Sequence, residues 1–122
     1  MREYETIFIL KGNTPERDAE ELKGRLLKLI AANKGTVLVE RSWGKKQLAY
    51  PMEKQSEGIY IHLDYAAPAG TVSEIEKILR FDERVLRQMT VVLQKDVDIA
   101  QRTEELNKIQ QAQEAAAAQP AS

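Results

Sequence analysis

Two stretches with a helical repeat, each flanked by runs that alternate every second residue, restrict this chain to few folds. In the first, Ala19, Leu22, Leu26, Leu29 and Ile30 fall on one side, with Glu20, Glu21, Lys23, Arg25 and Lys28 opposite. Thr14-Pro15 reads as an N-cap followed by proline at the first helical position, Glu16 and Asp18 suit the positive end of the helix dipole, and Gly35 fits a left-handed cap. The second follows Pro68-Ala69-Gly70-Thr71, with Val72, Ile75, Ile78 and Leu79 as its apolar stripe and Glu74, Glu76, Lys77 and Arg80 as its wet side.

The alternating runs read as strands. Glu3 to Leu10 places Tyr4, Thr6, Phe8 and Leu10 on one face and Glu5, Ile7 and Ile9 on the other, so it is expected at the centre of a sheet. Thr36 to about Tyr50 follows Gly35, with Val37, Val39 and Trp43 expected on one face and Leu38 and Glu40 on the other. Gly44 marks a bulge that brings Leu48 and Tyr50 into line with Trp43, and Pro51 puts the strand at a sheet edge. Gln55-Ser56-Glu57-Gly58 is the expected hairpin loop, followed by a strand from Ile59 to Ala66. Val85 to Leu93 is the last strand, whose inward face the sequence leaves open because Arg87, Gln88 and Thr90 interrupt its pattern. The order is βαββαβ. Two right-handed β-α-β crossovers put both helices on one face of a four-stranded antiparallel sheet, an α+β ferredoxin-like sandwich whose other face is left to solvent or a partner.

The expected organisation is one domain over residues 1–95 and an Ala/Gln/Glu-rich tail over 96–122, helical or disordered. Ile99, Leu106 and Ile109 give that tail only a thin stripe, so it is expected to order mainly when held. Cysteine is absent, which excludes disulfides and thiolate chemistry. No apolar run approaches the roughly 20 residues of a membrane span, and the first residues lack the apolar centre of a secretory signal, so a soluble cytoplasmic protein is expected.

The net charge of −1 conceals a division. The tail from Asp96 holds five of the nineteen acids and two of the eighteen bases, which leaves residues 1–95 at +2. Within them, Arg41 to Lys54 carries Arg41, Lys45, Lys46 and Lys54 against Glu53, and Arg80 to Lys95 carries Arg80, Arg84, Arg87 and Lys95 against Asp82 and Glu83. Salt screens charges beyond about 8–10 Å, so local clustering governs phosphate contact. The character is mildly basic, which fits weak binding of nucleic acid alone or binding with a helper.

Catalytic and metal chemistry have little support. His62 is the only histidine, no Ser-His-carboxylate set can be assembled around it, and it reads as a surface or core-edge histidine. No ligand spacing for a metal and no phosphate-cradling glycine loop is present, so no metal or other cofactor is expected. The βαββαβ order also hosts the RNA recognition motif, which stacks bases on third-strand aromatics. This chain has Glu57, Ile59 and Ile61 where that motif needs a base and two aromatics, which disfavours that mode and leaves Tyr60 for the open face.

Arg41-Ser42-Trp43-Gly44-Lys45-Lys46-Gln47-Leu48-Ala49-Tyr50-Pro51-Met52-Glu53-Lys54 is the most specific stretch. Cations on an edge strand can simply oppose aggregation. Here Lys45 and Lys46 sit beside a bulge, near Trp43 and Tyr50, and amphipathic aromatics next to cations suit an interface. With the opening Met1-Arg2-Glu3-Tyr4-Glu5-Thr6, the strand after Gly35 and Val85-Leu86-Arg87-Gln88-Met89, this stretch resembles the sixth protein family of the bacterial small ribosomal subunit over residues 1–95. Lysines stand at 45 and 46 where that family often has arginines, which turns bidentate phosphate contacts into point-charge contacts.

The resemblance implies a ferredoxin-like fold, a structural and non-enzymatic role in the ribosome, and a heterodimer with the eighteenth small-subunit protein that binds the central domain of the small-subunit ribosomal RNA. The expected RNA contacts are Arg2, Lys45, Lys46, Arg80, Arg84 and Arg87; the expected protein contacts are Trp43, Tyr50 and Tyr60. One alternative is a regulatory or interaction module that uses the open sheet face without RNA. Another is a small acylphosphatase-like enzyme, which would need an arginine in the loop Lys11-Gly12-Asn13-Thr14.

Overall fold

β1 (Arg2–Lys11) runs between β3 (Gln55–Ala67) and β4 (Val85–Gln94), and β2 (Thr36–Met52) closes the far edge, giving the antiparallel order β2-β3-β1-β4. The computed structural model describes residues 1–52 and 55–118, with backbone only at 49–52, 55 and 114–118. The central position of β1 and the edge position of the Pro51-bearing strand follow from the two-faced pattern of one and the missing N–H of the other.

One face of the sheet carries the core. Tyr4, Phe8 and Leu10 of β1 and Ile61, Leu63 and Tyr65 of β3 pack against two helices, α1 (Glu16–Ala32) through Leu22, Leu26 and Ile30, and α2 (Gly70–Phe81) through Ile75 and Leu79. Each such side chain contributes about 1.5–3 kcal/mol on burial. Thr6 is buried among them because its hydroxyl meets Tyr65 Oη at 2.9 Å and Thr90 Oγ1 at 2.8 Å. Burial pushes the Tyr65 phenol up to about 12.

The last strand's faces are now assigned. Val85, Gln88 and Thr90 lie on the helix side, where Gln88 Nε2 donates to Glu76 O at 3.2 Å, while Arg87, Met89 and Val91 oppose Ile9, Ile7 and Glu5 on the other side. Polar residues interrupt the inward pattern because the core margin supplies them with partners.

Several local expectations change. Pro15 is itself the N-cap of α1, one position later than expected, and no side chain caps the helix. The left-handed residue at its C-terminus is Lys34 (φ 64°), not Gly35. Gly35 is required for space: a Cβ there would come 2.7 Å from Ala66 O and 2.8 Å from Ile30 Cγ2. Val37 and Val39 do not share a face, since a register shift between them puts Val37 opposite Tyr65 and Val39 opposite Asp64. Gln55 to Gly58 is strand rather than loop. The expected bulge is present: the register shifts between Ser42 and Gly44, and Gly44 has φ 70°.

The face away from α1 and α2 is not wholly open. A third helix, α3 (Ile99–Ala118), lies against its far end, anchored where Val97 N donates to Met1 O at 3.0 Å and where Arg102 reaches Glu3 of β1.

Candidate nucleic-acid and partner interface

Sheet register gathers several cations at one end. Lys46 on β2 opposes Gly58 on β3, Gly58 opposes Lys11 on β1, and Lys11 N donates to Arg84 O at 2.8 Å just before β4. At about 4.8 Å per strand, Lys46 and Arg84 are roughly 15 Å apart along the backbone, comparable with two Debye lengths at physiological salt. Lys45 and Lys46 are exposed on opposite faces of β2, as the pleat requires. Lys45 borders a hollow of about 570 Å³ between the sheet and the start of α1, where Glu16 and Glu20 also lie. Arg80 and Lys11 border a smaller hollow of about 280 Å³ at the opposite corner, beyond the end of α2.

Two expected RNA contacts sit differently. The Arg84 guanidinium meets Asp82 at 2.7 Å, Glu21 at 3.0 Å and Asp18 O at 3.2 Å, a clamp joining α1 to the turn before β4. It holds the Asp82 carboxyl below the usual range, and the same carboxylate raises the guanidinium further. Arg2 opposes Ala67 at the other end of the sheet, nine residues from Lys11 and thus about 30 Å along β1.

Beside the cations the open face holds an apolar groove of about 300 Å³, lined by Ile7, Ile9, Trp43, Tyr60, Arg87 and Met89. The Trp43 indole stacks on His62 with centroids 5.5 Å apart, and Lys46 Nζ lies 5.4 Å from the indole centroid. Trp43 remains 41% exposed, because the bulge swings it out of the ladder. Trp43 and Tyr60 are therefore brought together as expected contacts, while the Tyr50 side chain lies outside the described residues. Burial lowers the His62 pKa, with Glu5 opposing and Arg41 adding to the shift.

The opposite end of the same face is acidic. Glu3 is 0% and Asp64 4% exposed, and Glu5 lies 3.5 Å from His62 Nε2. Gln94 Nε2 donates to Glu3 Oε1 at 3.0 Å, and Arg102 of α3 donates to Glu3 Oε2 at 3.1 Å. Burial, then the neighbouring Glu3, raises Asp64 to about 7. Among the described residues no group of acids and histidines is arranged to hold a metal ion, and no helix is long and apolar enough to cross a membrane.

The family model described as ribosomal protein S6 matches residues 3–92. The chain belongs to the ribosomal protein S6 family. It is 41% identical over 93 residues to small ribosomal subunit protein bS6 of Syntrophobacter fumaroxidans, covering 76% of this chain. It is 38% identical over 87 residues to the bS6 of Cutibacterium acnes, covering 71% of this chain and 91% of that protein. The crystal structure of 30S ribosomal protein S6 from Thermotoga maritima superposes with a TM-score of 0.70 at 26% identity, covering 87% of this chain and 97% of that one. The chain spans only 63% of the length of the Syntrophobacter relative. The relatives named here carry the description small ribosomal subunit protein.

Lys11, which borders the hollow beyond α2, and Ile7, Ile9 and Met89, which line the apolar groove, are not among the contacts expected from the sequence. The apolar second face of β1 was the available signal for the isoleucines. Met89 and Lys11 enter only through the pairing of β1 with β4 and β3, which joins residues far apart in sequence. In the Lys11-to-Thr14 loop the Gly12 and Thr14 amides donate to Glu57 O and Lys11 O, so they are committed to the fold.

Proposed function

We propose that this S6-family protein binds the central domain of the small-subunit ribosomal RNA as a heterodimer with the eighteenth small-subunit protein, as a structural constituent of the cytoplasmic ribosome. The reading rests on one arrangement: the sheet end carrying Lys45, Lys46, Lys11 and Arg80 adjoins the groove of Trp43 and Tyr60 on the open face. Cations there serve phosphates, with Arg87 at the junction, and the groove serves protein. Arg84 contributes through the clamp that fixes the α1–β4 corner, and Arg2 lies too far away to share the same phosphates.

A chain of net charge −1 gains most of its RNA affinity from a basic companion. The test is binding to a central-domain RNA fragment across a salt series, with and without the purified eighteenth protein. Weak binding alone, tighter binding together and affinity falling linearly in log salt are expected. Self-association or protein binding with no RNA effect would instead identify a protein-interaction module.

A further inference from the structure

We propose that the acidic end of the open sheet face is an arginine-binding site, filled in cis by Arg102 of α3 and vacated for an arginine of the basic protein partner. The partner half of this inference rests on the heterodimer reading above. The site is built from three acidic side chains on adjacent central strands: Glu3 opposes Ala66 and Glu5 opposes Asp64, so Glu3, Glu5 and Asp64 share one face. Glu3 and Asp64 are buried, and an uncompensated carboxylate in that position costs several kcal/mol.

Arg102 meets the need only in part. Its Nε donates to Glu3 Oε2 at 3.1 Å, but its Nη2 stays 4.0 Å from Asp64 Oδ2, and Nη1 turns back to Glu105 at 3.5 Å. Asp64 Oδ1 is buried without a hydrogen-bond partner among the described residues. The site therefore has a guanidinium already seated in it and an acceptor still unsatisfied. A fork that engages both Glu3 and Asp64 improves on the present occupant.

The occupant is also lightly held. Leu106 is half-buried and Ile109 exposed, and beyond the Arg102 contacts Arg41 Nη2 donates to Gln113 at 3.2 Å near the far end of α3. A helix of this length with so thin a stripe has little stability of its own, so displacing it costs little. Charge selects the incoming group: the Glu3 and Glu5 carboxylates repel a polyanion and attract a cationic chain, and an arriving guanidinium favours the ionised form of Asp64 beside them. Position does the same, because Glu5 adjoins His62 and His62 carries Trp43, which makes the acidic end continuous with the groove.

The test uses full-length Arg102→Ala with three readouts: amide hydrogen exchange, NMR titration with N-acetylargininamide, and binding of the eighteenth small-subunit protein. Exchange across residues 99–113 should accelerate by about tenfold or more while β1 and β3 stay protected. N-acetylargininamide should saturably shift the Glu3 and Asp64 resonances of the variant, and the uncharged N-acetylcitrullinamide should not. The partner should bind the variant more tightly than the native chain, and native α3 should lose protection in the complex. If Arg102→Ala does not fold, Arg102→Lys, which keeps the charge and loses the fork, replaces it for all three readouts. Unchanged α3 exchange, or equal shifts from both probes, overturns the arginine site whatever the partner does. Equal partner affinity with α3 still protected in the complex overturns the displacement. A specific argininamide response with no partner binding to either chain supports the arginine site and refutes the heterodimer.

Discussion

The Trp43 indole lies over the His62 imidazole, ring centroids 5.5 Å apart and planes 23° from parallel, at the middle of the sheet face turned away from α1 and α2. One residue is displaced outward by the Gly44 bulge and the other is held on β3, so the stack joins an edge strand to a central one. It also divides the face, with the apolar groove on one side and the Glu5–Glu3–Asp64 carboxylates on the other.

Trp43 is the only tryptophan, so its fluorescence reports this stack alone. Trp43→Ala removes a half-exposed ring whose stacking contributes about 0.5–1.5 kcal/mol. A small drop in the urea midpoint is expected, together with a loss of partner affinity of about tenfold or more, as for an aromatic anchor. Titration calorimetry beside a denaturation series separates the two, and unchanged partner affinity would remove Trp43 from the interface.

Replacing Lys45 and Lys46 together by Ala should leave the fold intact, since both are exposed. The slope of log affinity for RNA against log salt should shrink by about 1–2, one unit or slightly less for each lost phosphate contact. A filter-binding series read at several salt concentrations checks this. An unaltered slope would mean that neither lysine meets a phosphate.

Asp64 sets a pH dependence. Its folded pKa of about 7 lies above the ordinary 3.8, so the folded state holds a proton that the unfolded chain releases. Stability from this group is complete below the ordinary value and is lost as pH rises through about 7. Asp64→Asn, which cannot ionise, should therefore be more stable than the native chain at alkaline pH and gain little or nothing in acid. Urea midpoints across that range decide it, and a difference independent of pH would show that Asp64 is not held protonated.

Gly35→Ala should destabilise more than Gly44→Ala, although only Gly44 has a positive φ. The new methyl at 35 meets a backbone carbonyl at 2.7 Å, and overpacking of this kind costs about 1–3 kcal/mol. At 44 nothing lies within 4 Å, so only backbone strain of about 1 kcal/mol applies. Thermal melts of the two variants give the order, and the reverse order would show that the Ala66 strand yields.

Local pattern carried the elements. The 3.6-residue stripe of Leu22, Leu26 and Ile30, the alternation of Tyr4, Thr6, Phe8 and Leu10, and the Pro51 signal depend on neighbours within a turn or a strand, so they could be read without the fold. The bulge at Gly44 was legible for the same reason. The failures were of a different kind. Gly35 invited a left-handed cap, but the residue that turns is Lys34 and the glycine answers to Ala66, a contact across 31 positions. Val37 and Val39 parted because β2 slips against β3, which no single-strand pattern records.

The sequence by itself determined the βαββαβ order, the central and edge strands and a cluster of cations at 45 and 46, because periodicity and backbone restriction act locally. Tertiary structure alone decided which cations stand together and which are used internally: Lys11 joins Lys46 through Gly58, while Arg84 is drawn into Asp82 and Glu21 and Arg2 is carried to the far end. It also decided that the open face is divided between groove and carboxylates, with α3 latched on the acidic half. Those outcomes depend on strand register and on side chains separated by up to 99 positions. Coulombic and packing energies follow distance in space, and the chain order does not contain that distance.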